Sequence, residues 1–126
     1  MTKDARWMIA LAAVSIGVAT ALGAFGAHGL QKVLAPDRLA VFETAVKYQF
    51  YHSLGLLGIG LAVVNRERRG ARVAARLIVA GMILFAGSIY ALTFGAPAAI
   101  GIVTPFGGLA LMTGWLLFAL TIWSAR

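Results

Sequence analysis

No cysteine occurs among the 126 residues, which excludes disulfides, thiolate metal sites and thiol redox chemistry and leaves the redox compartment undetermined. Acidic side chains are nearly as scarce, with four Asp and Glu against eleven Lys and Arg. Charged residues make up only 12% of the chain, about half the roughly one quarter usual for a water-soluble domain. From Leu77 to Ala125 there are 49 consecutive residues without one of them. A soluble helix carries a polar face every turn, and this stretch has no such charged face. At ~20 apolar residues per bilayer crossing, it holds two spans.

What is present is apolar: 61% of residues are hydrophobic and the mean hydropathy is +0.90. The length fits one integral membrane domain over residues 1–126. The net charge of +7 would suggest nucleic acid in a soluble protein. Excess Lys and Arg in cytoplasmic loops accounts for it here, and no nucleic-acid partner is expected.

The spacing predicts an all-α membrane protein, a four-transmembrane-helix antiparallel bundle. The first span covers about 7–27, a run too long for the apolar core of a cleaved signal peptide despite the small-x-small triplet Ala19-Thr20-Ala21. Ala35-Pro36-Asp37 reads as a turn with Asp37 as N-cap. It leads into an interfacial helix 38–47, where Glu43 and Lys47 stand at pairing distance, i and i+4. The second span, 48–64, continues this helix at the short end of what crosses a bilayer. A basic loop from Asn65 to Arg72 precedes the third span, 77–94, which Gly95-Ala96-Pro97 ends. Thr104 as N-cap and Pro105 at N1 open the fourth span, 106–123.

Lys3, Arg6, Arg66, Arg68, Arg69, Arg72, Arg76 and Arg126 fall on one side of such a bundle, and Lys32, Arg38 and Lys47 on the other. The richer side belongs in the cytoplasm, with both termini. Trp7 and Trp123 then lie at the inner interface, and Tyr48, Tyr51, Phe94 and Phe106 near the outer one.

In lipid, helices associate through small residues that let backbones approach. Ala13, Gly17, Ala21, Ala24 and His28 make one stripe on the first helix. Gly87 with Ala91 and Ala110 with Gly114 repeat the spacing in the last two spans, and Gly55, Gly58 and Gly60 lie on the second. Packing within the bundle is the plainer use of these stripes, and a homo-oligomer or larger membrane complex is the other. The lipid bilayer is the expected partner in either case.

Polar residues gather on the outer side: His28, Tyr48, Gln49, Tyr51, His52, Tyr90, Thr93 and Thr104, with Gln49 and His52 at i and i+3. The inner half is expected to hold almost nothing comparable. The bland account is that these groups bond one another and tie helix ends together. The sharper ones are a pocket for a small molecule or quinone, or a metal or haem between the two histidines. A zinc site lacks ligands, since Glu43 lies about 13 Å from His52 along a helix. No metal or other cofactor is expected. Neither a nucleophile elbow nor a phosphate loop, a zinc-protease helix or a carboxylate pair occurs. Gly23, Gly26 and Gly29 superficially resemble a dinucleotide loop but follow a membrane span, not a strand.

Four motifs, Gly23-Ala-Phe-Gly-Ala-His-Gly-Leu30, Tyr48-Gln-Phe-Tyr-His52, Phe85-Ala-Gly-Ser-Ile-Tyr90 and Thr104-Pro-Phe-Gly-Gly108, resemble domain-of-unknown-function family 423 in order and spacing. That family is similar to eukaryotic transmembrane protein 256. The resemblance implies a multi-pass protein of the bacterial inner (plasma) membrane and carries no reaction or catalytic residue with it. The expected role is a non-enzymatic structural or interaction component of the membrane. The alternative is binding or transport of a small molecule, quinone or metal through the outer polar cluster.

Overall fold

Four long helices account for most of the chain in the computed structural model, which describes residues 1–125. Arg126, counted above with the inner basic residues, lies outside them. The helices are α1 (Lys3–His28), α2 (Pro36–Ala62), α3 (Arg69–Thr93) and α4 (Val103–Trp123). Short 3₁₀ turns, Leu30–Lys32 and Ala98–Ile102, link α1 to α2 and α3 to α4. Among the described residues every regular element is a helix, as the spacing of charge-poor runs predicts.

Three segments are long and apolar enough to cross a membrane: Lys3–Lys32, Arg69–Thr93 and Ala98–Trp123. Helix α2 is not among them. It has the length, 27 residues or about 40 Å at ~1.5 Å per residue, but Tyr48, Gln49, Tyr51 and His52 dilute its apolar character.

Helices adjacent in sequence pack side by side, α1 on α2, α2 on α3 and α3 on α4. The main core gathers Ala5, Met8 and Ala12 of α1, Leu56 and Ile59 of α2, Ala75, Ile78 and Met82 of α3 and Leu111 of α4. A second cluster, around Leu30, Phe42 and Val46, closes the α1–α2 connection.

The rotation of α1 differs from the sequence expectation. Ala5, Met8, Ala12, Ala19 and Gly26 form its buried face. The stripe Ala13, Gly17, Ala21, Ala24 and His28 faces outward, and nothing lies within 4 Å of a Cβ built on Gly17. A helix made almost entirely of small apolar residues has no face that composition singles out, so Met8 in the core and Ser15 in a hydrogen bond to α2 set the rotation.

The α3–α4 seam uses Gly114 of the expected Ala110–Gly114 pair, against Ile78. It does not use Gly87, which is open. Its closest main-chain approach is at Gly107, where a Cβ would collide with main-chain atoms of Leu84 and Phe85. Only glycine admits this approach.

Helix starts also shift. Ala35 is the N-cap of α2 and Pro36 its first residue, so Asp37 lies inside the first turn. Helix α4 follows directly on the Ala98–Ile102 turn, whose Ile100 carbonyl accepts from the Val103 N–H. Thr104 is therefore not needed as a cap and bonds Ser88 instead. Glu43 and Lys47 form no ion pair; among the described residues only Arg72 does, with Asp4 and Glu67.

Candidate functional site

The polar residues expected to form one outer cluster separate into distinct groups because α2 presents them to different neighbours. Gln49 and Ser53, one turn apart on α2, face α1 and α3. The Gln49 amide Nε2 donates to the main-chain carbonyl of Ser15 at 3.0 Å and lies 3.3 Å from the Ser15 hydroxyl. Its Oε1 accepts the Tyr90 hydroxyl at 2.7 Å. The Ser15 and Ser53 hydroxyls stand 2.6 Å apart, and Ser53 donates to Met82 Sδ at 3.7 Å. Three helices are thus tied by one chain of bonds, and no buried side-chain nitrogen or oxygen among the described residues lacks a partner.

His52 faces the other way. Its Nδ1 accepts the indole N–H of Trp115 at 3.0 Å, which places the imidazole proton on Nε2 in the neutral ring. Tyr48 stacks on His52 with ring centroids 6.0 Å apart and tilts against Phe85 at 4.7 Å. Gln49 and His52 therefore do not share a site, although they stand at i and i+3. About 100° of rotation per residue separates them by roughly 60°, enough to split them between α1–α3 and α4.

The remaining expected residues lie apart. Thr104 pairs with Ser88, and Thr93 donates to the Ile89 carbonyl of its own helix at 2.9 Å. Tyr51 is 60% exposed and touches only the edge of Tyr48 in ring contact. His28 is exposed at the end of α1. Among the described residues no three His, Cys, Asp or Glu side chains converge on a metal-sized site.

Two cavities flank this arrangement. One, about 280 Å³, opens sideways between α1 and α3 with α2 behind it. Gln49, Tyr90 and Ser15 form its polar end, and Leu11, Met82 and Ile83 its apolar length. It exists because α1 and α3 both pack on α2 but meet each other chiefly at the Asp4–Arg72 end. The other, of similar volume, lies between α2 and α4 and is lined by Tyr48, His52, Phe85 and Trp115.

Sequence reasoning missed Ser15, Ser53, Ser88 and Trp115. Isolated serines in apolar helices carry no pattern, and Trp115 reads as one more apolar residue in α4. It also missed the opposite end of the bundle, which is far from featureless. Asp4 is buried, accepts both Arg72 Nε contacts at 3.0 and 2.8 Å, and accepts the Trp7 indole at 3.3 Å. Arg72 reaches Glu67 at 3.2 Å. Thr2 caps α1 and bonds the α2 terminus through Val63 and Val64. Asp4 at the head of the first span and Arg72 in the basic loop were the available signal, since an acid so close to lipid needs a partner.

These features define a small helical membrane protein in which Asp4, Ser15, Gln49, Ser53 and Tyr90 bond across its own helices. The sequence model of a family described as a protein of unknown function (DUF423) matches residues 22–108, and the chain belongs to this family. It is 38% identical over 112 residues to a UPF0382 membrane protein of Staphylococcus saprophyticus, covering 89% of this chain and 92% of that one. A UPF0382 membrane protein of Staphylococcus aureus is 39% identical over 112 residues, with 89% and 91% covered. The UPF0382 inner membrane protein YgdD of Escherichia coli is 35% identical over 112 residues, with 89% and 86% covered. No solved structure matches the chain. The protein is accordingly a bacterial inner-membrane protein of unknown function.

Proposed function

We propose that this protein crosses the inner membrane four times, keeps both termini in the cytoplasm and acts as a non-enzymatic component that packs against itself or a larger membrane assembly. Support for a fourth span comes from α2 itself, which lies between α1 and α3 and packs along both. Its Gln49 and Ser53 turn inward, while Leu54 and Leu61 are more than half exposed. The observation that carries the interaction reading is the outward stripe of Ala13, Gly17, Ala21 and Ala24, unused inside the bundle. Native mass spectrometry from lipid particles tests it. Dimers, or a co-purifying membrane protein, are expected. A bare monomer at every protein-to-lipid ratio overturns the reading.

A second reading is favoured by the cavity between α1 and α3, a lipid-accessible groove with three half-buried polar side chains at one end. In this reading the protein holds a small apolar molecule there. A shift in melting temperature with such a molecule, abolished by filling the groove through Gly87→Leu, is the expected result. Gly87 lines the groove and has no neighbour within 4 Å of its Cβ position.

A further inference from the structure

The direction of the hydrogen bonds at the groove's polar end decides what chemistry it accepts. The Ser15 main-chain carbonyl can only accept, so the Gln49 group 3.0 Å from it is the amide nitrogen. The opposite amide assignment would set two acceptors against each other. With Nε2 thus placed, Oε1 faces Tyr90, and the tyrosine must donate its only proton there, at 2.7 Å. Ser53 gives its proton to Met82 Sδ, so Ser15 donates in the 2.6 Å contact with Ser53. With the second Gln49 N–H directed at the Ser15 hydroxyl at 3.3 Å, every donor in the chain Tyr90, Gln49, Ser15, Ser53 has an acceptor. What remains unspent is acceptor capacity: a second lone pair on Gln49 Oε1 and those of Tyr90 Oη. No charged residue lines the groove, which excludes a phosphate or ammonium headgroup as the group recognised here.

We propose that the α1–α3 groove binds a neutral membrane lipid bearing a free hydroxyl, which donates its one proton to Gln49 Oε1 beside the Tyr90 hydroxyl while its chain lies along Leu11, Met82 and Ile83. This rests on the second reading above and adds the class of ligand. The lengthwise fit agrees. Val79 and Tyr90, both lining the groove, are eleven residues apart on α3, about 16 Å of helix at ~1.5 Å per residue. An ester, ether or ketone oxygen offers only a further acceptor and gains nothing at this end.

The test uses the full chain in phosphatidylcholine vesicles and two photoactivatable probes, a long-chain alcohol with a mid-chain diazirine and its methyl ether. Cross-links are mapped by peptide mass spectrometry. The alcohol is expected to label the Leu11 and Ile83 segments about two- to tenfold more than the ether, the range one hydrogen bond supplies. In Gln49→Leu the Tyr90 proton is released and can serve an ether oxygen, so the ratio falls toward one. In Tyr90→Phe the Gln49 oxygen stays free, so the preference for the alcohol persists. A merely structural Gln49 would lower both probes together and leave the ratio alone, which overturns the assignment. Equal labelling of the wild-type groove by both probes overturns the choice of a donor ligand while groove binding stands. Labelling by neither overturns both. The wild-type comparison needs no variant to fold.

Discussion

The indole N–H of Trp115 meets Nδ1 of His52 at 3.0 Å, and its ring occupies space that a side chain at Gly55 would fill. One glycine on α2 thus makes room for an α4 residue that fixes the tautomer of an α2 histidine one turn away. Trp115→Phe keeps an aromatic ring between α2 and α4 but removes the donor. It is expected to cost about 0.5–1.5 kcal/mol, the net worth of one such bond. Gly55→Ala pushes against the ring itself and is expected to cost about 1–3 kcal/mol. Denaturant unfolding in detergent, followed by near-ultraviolet circular dichroism, ranks the two. The reverse order shows that the hydrogen bond, not the close approach, dominates this contact.

At the opposite end, Asp4 accepts from Arg72 with both oxygens, the only side-chain hydrogen bonding between α1 and α3 among the described residues. Asp4 is buried, so Arg72→Gln leaves its carboxylate without its ionic partner. The single change is expected to lower the melting temperature more than removing both charges together in Asp4→Asn with Arg72→Gln, because an unpaired buried charge costs more than the pair contributes. A thermal double-mutant cycle checks the sign. Additive effects of the two sites show that the contact carries no coupling.

How much of this was legible in the sequence depends on what kind of signal a residue carries. Helix existence was readable because charge-poor runs bounded by Gly95-Ala96-Pro97 and by the Asn65–Arg72 loop are statements about solvent, averaged over many residues. Rotation was not. In α1 nearly every position is small or apolar, and the face that packs is chosen by Met8 and Ser15, whose partners lie some 40 to 50 residues away in sequence. The polar cluster was half legible for the same reason. Tyr48, Gln49 and His52 stand out as residues that need partners, but a rotation of roughly 60° between Gln49 and His52 decides between α1, α3 and α4, and spacing alone does not contain the neighbours. Averaging also works against α2. Its inward polar side chains count against it in a hydropathy window even though its outward Leu54 and Leu61 do not.

The α3–α4 seam gives a sharp contrast with α1. At Gly107 a new methyl group meets main-chain atoms of Leu84 and Phe85, which cannot rotate aside as a side chain does. Gly107→Ala is therefore expected to destabilise by at least the ~1–3 kcal/mol of ordinary overpacking. Gly17→Ala, on the open face of α1, is expected to leave the monomer unchanged or slightly more stable, since glycine inside a helix costs about 0.5–1 kcal/mol relative to alanine. If Gly17→Ala instead shifts the oligomer distribution without changing monomer stability, the stripe is an interface between chains. Unfolding and native mass spectrometry on the same samples separate these effects.

The absence of native cysteine makes the topology directly testable, because each introduced thiol is the only one in the protein. Lys3, Asn65 and Ser124 are exposed at the basic end, and Lys32 and Ala98 are exposed in the turns at the other. If α2 crosses the bilayer with its neighbours, Lys32→Cys and Ala98→Cys react with an impermeant maleimide added to intact spheroplasts. Lys3→Cys, Asn65→Cys and Ser124→Cys then react only after permeabilisation. A helix α2 lying along the surface would place residues 32 and 65 on the same side and the two termini on opposite sides. Its packing between α1 and α3 argues against that arrangement, since leaving the bilayer would expose the α2-facing residues Ala12 and Met82 to lipid and strip Gln49 of both Ser15 and Tyr90. Same-side labelling of residues 32 and 65 would remove the fourth span and, with it, the groove whose back wall is α2.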